Sequence, residues 1–147
     1  LSDYDKGFLT RDFVQWVVGY CKERKIPCVA DAKRQPDFYD GCVLKCNGDY
    51  AEKYPRVLSR DRTVVTYGPL RPTVVPRASR WSDSFRPVAC VNHVGAGDCF
   101  AAHLTMCLAY GLSMEDAAAV AHSAGRVYVQ HLYNCPPTLD EISRDCG

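Results

Sequence analysis

The sequence predicts an α/β fold in which a mostly parallel sheet is flanked by helices. In the first half of the chain, short apolar runs rich in β-branched residues alternate with a helical pattern, which favours parallel strands joined by crossovers. In the second half, a turn containing two glycines leads into two long runs with helical periodicity. The length of 147 residues suits one domain, so we treat residues 1–147 as a single unit.

The first half of the chain reads as one helix and a series of short strands. We expect an entry loop at Leu1–Gly7 and then a helix capped by Thr10 that runs to about Lys25. On one face this helix carries apolar residues at helical spacing, namely Phe13, Trp16, Val17, Tyr20 and Cys21. The predicted strands are Pro27–Ala30, Cys42–Cys46 and Arg62–Tyr67, the last closed by Gly68 and Pro69.

The second half reads as a hairpin-like pair followed by helices. Thr73–Val75 and Arg86–Val91 are the predicted pair, with the polar loop Arg77–Ser84 between them. Two helices are expected at about 97–111 and 114–131, the second with a capping box of Ser113 and Asp116. A last short helix should start at Thr138, which precedes Glu141 by three positions.

Composition limits the classes of partner. The chain is 47% hydrophobic and 24% charged with a formal net charge of +1, which is ordinary for a soluble domain and gives no reason to expect nucleic acid or a membrane surface. No apolar stretch approaches the roughly 20 residues of a membrane span, and no basic-then-apolar leader is present. Because the chain begins at Leu1, within what looks like the end of a strand, we expect it to be a fragment.

The nine cysteines favour reduced thiols in a cytoplasmic protein. Their number is odd, and they include no Cys-x-x-Cys pair: Cys21, Cys28, Cys42, Cys46, Cys90, Cys99, Cys107, Cys135 and Cys146. Most stand in apolar runs, where a reduced thiol behaves as a small hydrophobic side chain. A disulfide framework, or a redox or zinc protein, is the weaker alternative, because a zinc site would need closer pairs with histidine nearby.

The most informative segment is Val94–Phe100, with the sequence VGAGDCF. Gly95 and Gly97 allow the backbone to turn sharply without a Cβ. At the start of the helix that follows, the amides of residues 96–98 would lack intrahelical partners and favour an anion. A carboxylate at Asp98 beside a bound phosphate would form a phosphoryl-transfer site, although a simple tight turn is the other interpretation. We call residues 95–98 the glycine turn.

Polar positions follow the predicted strands at their carboxyl ends. Asp31, Asn47 and Gly68 each come directly after an apolar run, and the glycine turn follows a fourth. In open α/β sheets, ligands bind beyond the carboxyl ends of the strands. These positions therefore predict a ligand site at one edge of the sheet.

Together these residues resemble the ribokinase/phosphofructokinase-B (PfkB) family of carbohydrate kinases. The glycine turn is similar to that family's GAGD signature, and the match is collinear over nearly the whole chain. Several segments resemble the heptose-7-phosphate kinase branch, the kinase half of ADP-heptose synthase: Ser2–Gly7 (SDYDKG), Asp31–Lys33 (DAK, where the branch has DPK) and Phe38–Gly41 followed by Asn47. Thr66–Gly68 is similar to a nucleotide-side T-x-G, and Ala121–Ala124 stands where the family has an Ala/Asn-rich helix near adenine.

The resemblance implies a ribokinase-like fold and transfer of the ATP γ-phosphoryl group to a sugar hydroxyl, aided by Mg²⁺. Asp98 would be the base, and the turn formed by Gly95, Ala96 and Gly97 would be the anion hole. The other implied nucleotide-side positions are Lys33, Asn47, Thr66, Gly68 and His122. Lys33 or Asn47 would approach phosphates, whereas for His122 a satisfied helix histidine is favoured over a contact with adenine. Asp3 and Lys6 suit either a site or a structural salt bridge.

The chain also departs from the family pattern. It is shorter than the family's members and would correspond to their C-terminal half, the nucleotide side without most sugar contacts. We therefore expect a missing N-terminal half or a homo-oligomer to cover the incomplete sheet. Asn92 and Val94 replace an acid and a threonine that shape a monovalent-cation site, Tyr133 stands where the branch has glycine, and Tyr50 replaces the acid of Asn-x-x-Glu, which is absent or displaced to Asp49 or Glu52. These departures motivate the alternative of a non-catalytic nucleotide-binding or interaction fragment.

Overall fold

The computed structural model describes residues 1–75 and 88–146. The helices are α1 (Arg11–Glu23), α2 (Gly48–Lys53), α3 (Ala96–Ala109), α4 (Met114–Tyr128) and α5 (Leu139–Cys146). The strands are β1 (Val29–Asp31), β2 (Val43–Asn47), β3 (Thr63–Tyr67) and β4 (Leu70–Val75). Short 3₁₀ helices lie at Pro36–Tyr39 and Pro55–Ser59.

Within the described ranges, the strands form one sheet in the order β1-β2-β3-β4. The first three strands are parallel, and β4 runs antiparallel to β3. In this register Asp31 lies beside Lys45, and Asn47 lies beside Thr66. The carboxyl ends of three parallel strands therefore meet at one edge, which confirms the predicted fold class and groups the polar positions that follow those strands.

Helices cover both faces of the sheet. Because side chains alternate along a strand, Val43 faces one layer while its neighbour Leu44 faces the other. One layer consists of α3 and α4, whose buried residues pack on Val29, Val43 and Val64; they include Phe100, Leu104, Ala117 and Ala121. The other layer is built on Ala30, Leu44, Cys46 and Val65 and includes Tyr39, Val57 and part of α1.

Helix α1 begins and ends close to the prediction, but the predicted apolar face is only partly right. Thr10 accepts a hydrogen bond from the amide of Phe13, as a cap should. Val17 and Cys21 pack toward the core, together with Val14 and Val18. By contrast, Phe13, Trp16 and Tyr20 are exposed and form a row of ring contacts with centroids about 6 Å apart. The pattern was ambiguous because apolar residues occupy two adjacent faces of this helix.

The predicted pairing of Thr73–Val75 with Arg86–Val91 is wrong for the part of the second segment that the structure describes. Thr73–Val75 belongs to β4, and that strand pairs with β3 across the turn at Gly68 and Pro69. Residues 88–91, the described part of the predicted strand Arg86–Val91, have no strand assignment. Val91 and Asn92 instead donate backbone hydrogen bonds to the carbonyl of Val129 at the end of α4. Residues 86 and 87 and the predicted polar loop Arg77–Ser84 lie outside the described residues.

The predicted entry loop begins as an extension of the sheet. Ser2 forms a parallel bridge with Asp31, and the amide of Asp31 donates to the carbonyl of Leu1. The amide of Asp3 donates in turn to the carbonyl of Asp31. The first three residues therefore cover the free edge of β1.

The helix caps predicted for the last two helices are confirmed. The Ser113 hydroxyl accepts from the amide of Asp116 at 3.1 Å at the start of α4. Thr138 and Glu141 form a reciprocal capping box before α5. All nine cysteine thiols lie in the described ranges and are free. Among the described residues, no helix is long and apolar enough to cross a bilayer.

Candidate active site

The glycine turn is fixed by a backbone conformation that only glycine adopts easily. Gly95 has φ +85° and caps the amino end of α3. A Cβ at this position would lie 2.5 Å from the Tyr128 hydroxyl oxygen. That hydroxyl donates a hydrogen bond of 2.9 Å to the carbonyl of Val94. The first glycine is therefore required by both its left-handed conformation and the tyrosine packed against it.

The turn presents two unpaired amides at the start of α3. The amide of Ala96 donates to the carbonyl of His93 at 3.1 Å. Within the described residues, the amides of Gly97 and Asp98 donate to no carbonyl. Both residues are exposed. The amino end of α3 therefore offers two exposed N–H donors and the positive end of the helix dipole, which together favour an anion.

The carboxylate of Asp98 is held by two hydroxyl groups from the beginning of the chain. Ser2 donates to Oδ1 at 2.9 Å, and Tyr4 donates to Oδ2 at 2.7 Å. The bond to Asp98 raises the pKa of Tyr4 above its ordinary value, because ionising the phenol would remove the donated proton beside a negative charge. These contacts fix the orientation of the carboxylate, while each of its oxygens keeps further acceptor capacity.

A buried ion pair lies against the other side of the turn. Lys45, near the end of β2, donates through Nζ to Asp31 Oδ2 at 2.8 Å, and both side chains are more than nine-tenths buried. A Cβ on Gly97 would lie 3.0 Å from this ammonium nitrogen. The Lys33 ammonium, which is more exposed, lies 3.9 Å from Asp31 Oδ1. Lys33 was predicted from its sequence position, whereas Lys45 was not, although a lysine inside the apolar run VLKCN was a visible signal.

One cavity of about 420 Å³ opens beside these groups. Five residues predicted from the sequence line it: Thr66, Gly68, Ala96, Gly97 and His122. The wall is completed mainly by Lys45, Pro69, Val88, Cys90, His93, Phe100, Gly125, Arg126 and Val129. A mostly apolar cavity of this size with a few polar groups is typical of a small-molecule site.

Two predicted nucleotide-side positions lie outside the cavity wall. Asn47 caps α2, where its Oδ1 accepts from the amide of Tyr50 at 3.0 Å. Lys33 does not line the cavity, and its ammonium group lies 3.9 Å from Asp31 Oδ1. Their predicted approach to phosphate therefore stays a prediction.

Asp3 has a structural environment. It is buried, and it accepts from the Tyr39 hydroxyl at 2.6 Å and from the amide of Asp5 at 2.7 Å. Arg34 lies 3.4 Å from the same carboxylate. Burial, together with the bond to Asp3, raises the pKa of Tyr39 to about 12, so this hydroxyl remains a donor at neutral pH. Lys6, in contrast, is exposed.

The chain matches the pfkB family carbohydrate kinases over residues 80–140, a segment that contains the glycine turn. Among curated proteins it is similar to the bifunctional protein HldE of Geobacter metallireducens, with 29% identity over 88% of this chain and 31% of that protein. It is also similar to the bifunctional protein HldE of Methylobacillus flagellatus, with 29% identity over 99% of this chain and 34% of that protein. The chain thus spans about a third of the length of these relatives.

Solved structures of sugar kinases share the fold. Arabidopsis thaliana ribokinase, in a complex with ribose and ATP, matches with a TM-score of 0.72 and 16% identity over 93% of this chain and 53% of that chain. Escherichia coli phosphofructokinase-2, in a complex with potassium, matches with a TM-score of 0.67 and 16% identity over 94% and 52%. The resemblance found in the sequence is confirmed: the chain has the ribokinase-like fold, over about half the length of those kinases, and its glycine turn lies in the segment similar to pfkB family carbohydrate kinases.

Proposed function

We propose that residues 1–147 are the nucleotide-binding half of an ATP-dependent carbohydrate kinase whose acceptor is a sugar or sugar phosphate, heptose 7-phosphate being the favoured type. The main support is the convergence of predicted residues on one cavity. Thr66 and Gly68 at the β3 end, His122 from α4, and Ala96 and Gly97 of the glycine turn come from distant parts of the sequence, yet all line the same space. The heptose preference rests on the resemblance of Ser2–Gly7 and Asp31–Lys33 to that branch.

In this proposal each part of the site has one task. The cavity wall near Thr66 and His122 holds the nucleotide, and the unpaired amides of Gly97 and Asp98 hold the phosphoryl group that is transferred. The Asp98 carboxylate accepts the proton of the acceptor hydroxyl and is oriented by Ser2 and Tyr4. Since phosphoryl transfer depends mainly on positioning and charge neutralisation, these roles require little covalent chemistry from the protein.

The residues at the site suit the binding of ATP better than the direct binding of a metal ion by protein side chains. The cavity has the volume and mostly apolar wall of a small-molecule site, and Lys45 and Gly97 in its lining can donate to an anion. In contrast, the described residues contain no group of three or more His, Cys, Asp or Glu side chains placed to hold a metal ion. Mg²⁺ commonly binds through substrate phosphates and few protein carboxylates, so the proposal includes it as a companion of the nucleotide and assigns no protein ligand to it.

The proposal is tested by separating nucleotide binding from turnover. Calorimetry measures ATP affinity, and a coupled assay on the longer parent protein, in which the proposed sugar-binding half is present, measures ADP formation with heptose 7-phosphate as acceptor. Asp98→Asn should lower turnover at least about a hundredfold, the usual range for losing a general base, while ATP affinity stays within about twofold. Asp12→Asn, on the exposed first turn of α1, makes the same charge change away from the site and should leave both unchanged. Equal turnover in wild type and Asp98→Asn would refute the catalytic assignment.

The second candidate is a non-catalytic nucleotide-binding or interaction fragment descended from such a kinase. It is favoured by the state of one group: the Ala96 amide, which the sequence predicts as an anion donor, already donates to the carbonyl of His93. ATP binding without ADP formation for any sugar phosphate would support this candidate over the kinase.

A further inference from the structure

Burying the charged Lys45 side chain in the sheet is unfavourable. It lies between Leu44 and Cys46 on β2, and its side chain is only 5% exposed. Removing an ammonium group from water costs several kcal/mol, which a single ion pair offsets only when the geometry is good and the remaining protons are also bound. A structural role alone would be served as well by an apolar side chain of similar volume.

The ammonium group of Lys45 has N–H donors that Asp31 does not use. It carries three N–H groups, and among the described residues only Asp31 accepts from it. Because Gly97 has no side chain, nothing from that residue separates the ammonium from the backbone of the glycine turn. Lys45 also lines the cavity itself, together with Thr66 and Phe100.

The position of Lys45 favours an anion at the turn. Asp31 and Asp98 each contribute a negative charge, and Lys45 at 2.8 Å and Lys33 at 3.9 Å from Asp31 contribute two positive charges that offset them. Of the two ammonium groups, that of Lys45 lies directly against the backbone of the turn. Because Lys45 is buried, its charge acts on a ligand with little screening by salt.

From these observations we propose that Lys45 binds the terminal phosphate of the nucleotide, acting with the amides of Gly97 and Asp98, while Asp31 positions its ammonium. The inference rests on the proposed nucleotide site and adds a phosphate-binding residue from β2 to it. Lys45 holds the phosphate as a charge-assisted donor and takes no part in proton transfer.

The test compares ATP with adenosine, because only ATP carries the phosphates that Lys45 would contact. Lys45→Met alone leaves the Asp31 carboxylate buried without its partner and is expected to be unstable. The double variant Asp31→Asn/Lys45→Met removes both charges together and is the informative protein. Lys53→Met, on α2, is the matched control for loss of one lysine. Circular dichroism verifies the fold of each full-length variant, and calorimetry measures both affinities.

We expect the double variant to keep its adenosine affinity and to lose about ten- to a hundredfold in ATP affinity, the range for one charge-assisted hydrogen bond. Lys53→Met should bind both ligands as the wild type does. A double variant that folds and keeps the wild-type ratio of ATP to adenosine affinity would show that the pair is only structural. A wild type that binds both ligands equally well would also overturn the role of Lys45, whereas a wild type that binds neither would refute the nucleotide site itself.

Discussion

Substitution of Gly95 by alanine tests the geometry on which the glycine turn depends. An L-residue held in the left-handed conformation costs about 1–2 kcal/mol. At Gly95 the new Cβ would also meet the Tyr128 hydroxyl oxygen at 2.5 Å, so the ring must move and its hydrogen bond to Val94 must break. That loss adds about 0.5–1.5 kcal/mol. We therefore expect Gly95→Ala to lower the free energy of unfolding by about 1.5–3.5 kcal/mol.

The chain provides a matched control for this prediction. Gly111 has the same φ of +85°, and a Cβ there would meet nothing within 4 Å. Gly111→Ala should therefore cost the backbone contribution alone, about 1–2 kcal/mol. Urea unfolding followed by circular dichroism measures both variants under the same conditions.

A double-mutant cycle then identifies the contact. Tyr128→Phe removes the hydroxyl oxygen that lies closest to the new Cβ, so Gly95→Ala should cost less in that background than in the wild type. Equal destabilisation by Gly95→Ala and Gly111→Ala, with no coupling to Tyr128, would refute the argument that packing as well as conformation requires glycine at this turn.

Three further predictions follow from the hydrogen bonds and burial. The pKa of Tyr4 is raised above 10.0, so the phenol is protonated and bound to Asp98 below pH 10.0, and the bond is lost as the pH rises through the raised pKa. Asp98→Ala should lower the pKa of Tyr4, as measured by NMR titration of the ring. Burial raises the pKa of the Cys46 thiol to about 12, so iodoacetamide at pH 8 should label Cys46 much more slowly than exposed Cys135. Denaturant should abolish the difference, which peptide mass spectrometry would detect. Ser113→Ala removes the cap of α4 and should lower the free energy of unfolding by about 1 kcal/mol; an unchanged urea midpoint would contradict it.

Local signals predicted much of the fold because they act over a few residues. The β-branched run that forms β3 and the capping residue Ser113 specify structure through the backbone of their own segment. The hairpin partner of β4 was missed because two apolar runs competed for it and proximity across Gly68 decided the pairing. The β-propensity of each run does not identify its partner, so the short turn at Gly68 and Pro69 was the better signal for this pairing.

The same distinction applies to the candidate site. Thr66 and His122 were predicted from motifs, and the fold brings both to one cavity. The contacts of Asp98 with Ser2 and Tyr4 join positions more than ninety residues apart, so no local pattern could reveal them. Lys45 was visible as a charged residue inside an apolar run, but its partner Asp31 is identified only by the register of β1 and β2.

The opening residues of the chain connect the sheet with the start of α3. Ser2 pairs through its backbone with the strand that ends at Asp31, and its hydroxyl group reaches Asp98. One short extended segment thereby sets the spacing between two carboxylates that belong to different secondary-structure elements. A shift of that segment by one residue would exchange the side chains on its two sides and would change the distance between Asp31 and Asp98. The register of residues 1–3 against β1 therefore controls the geometry of the site.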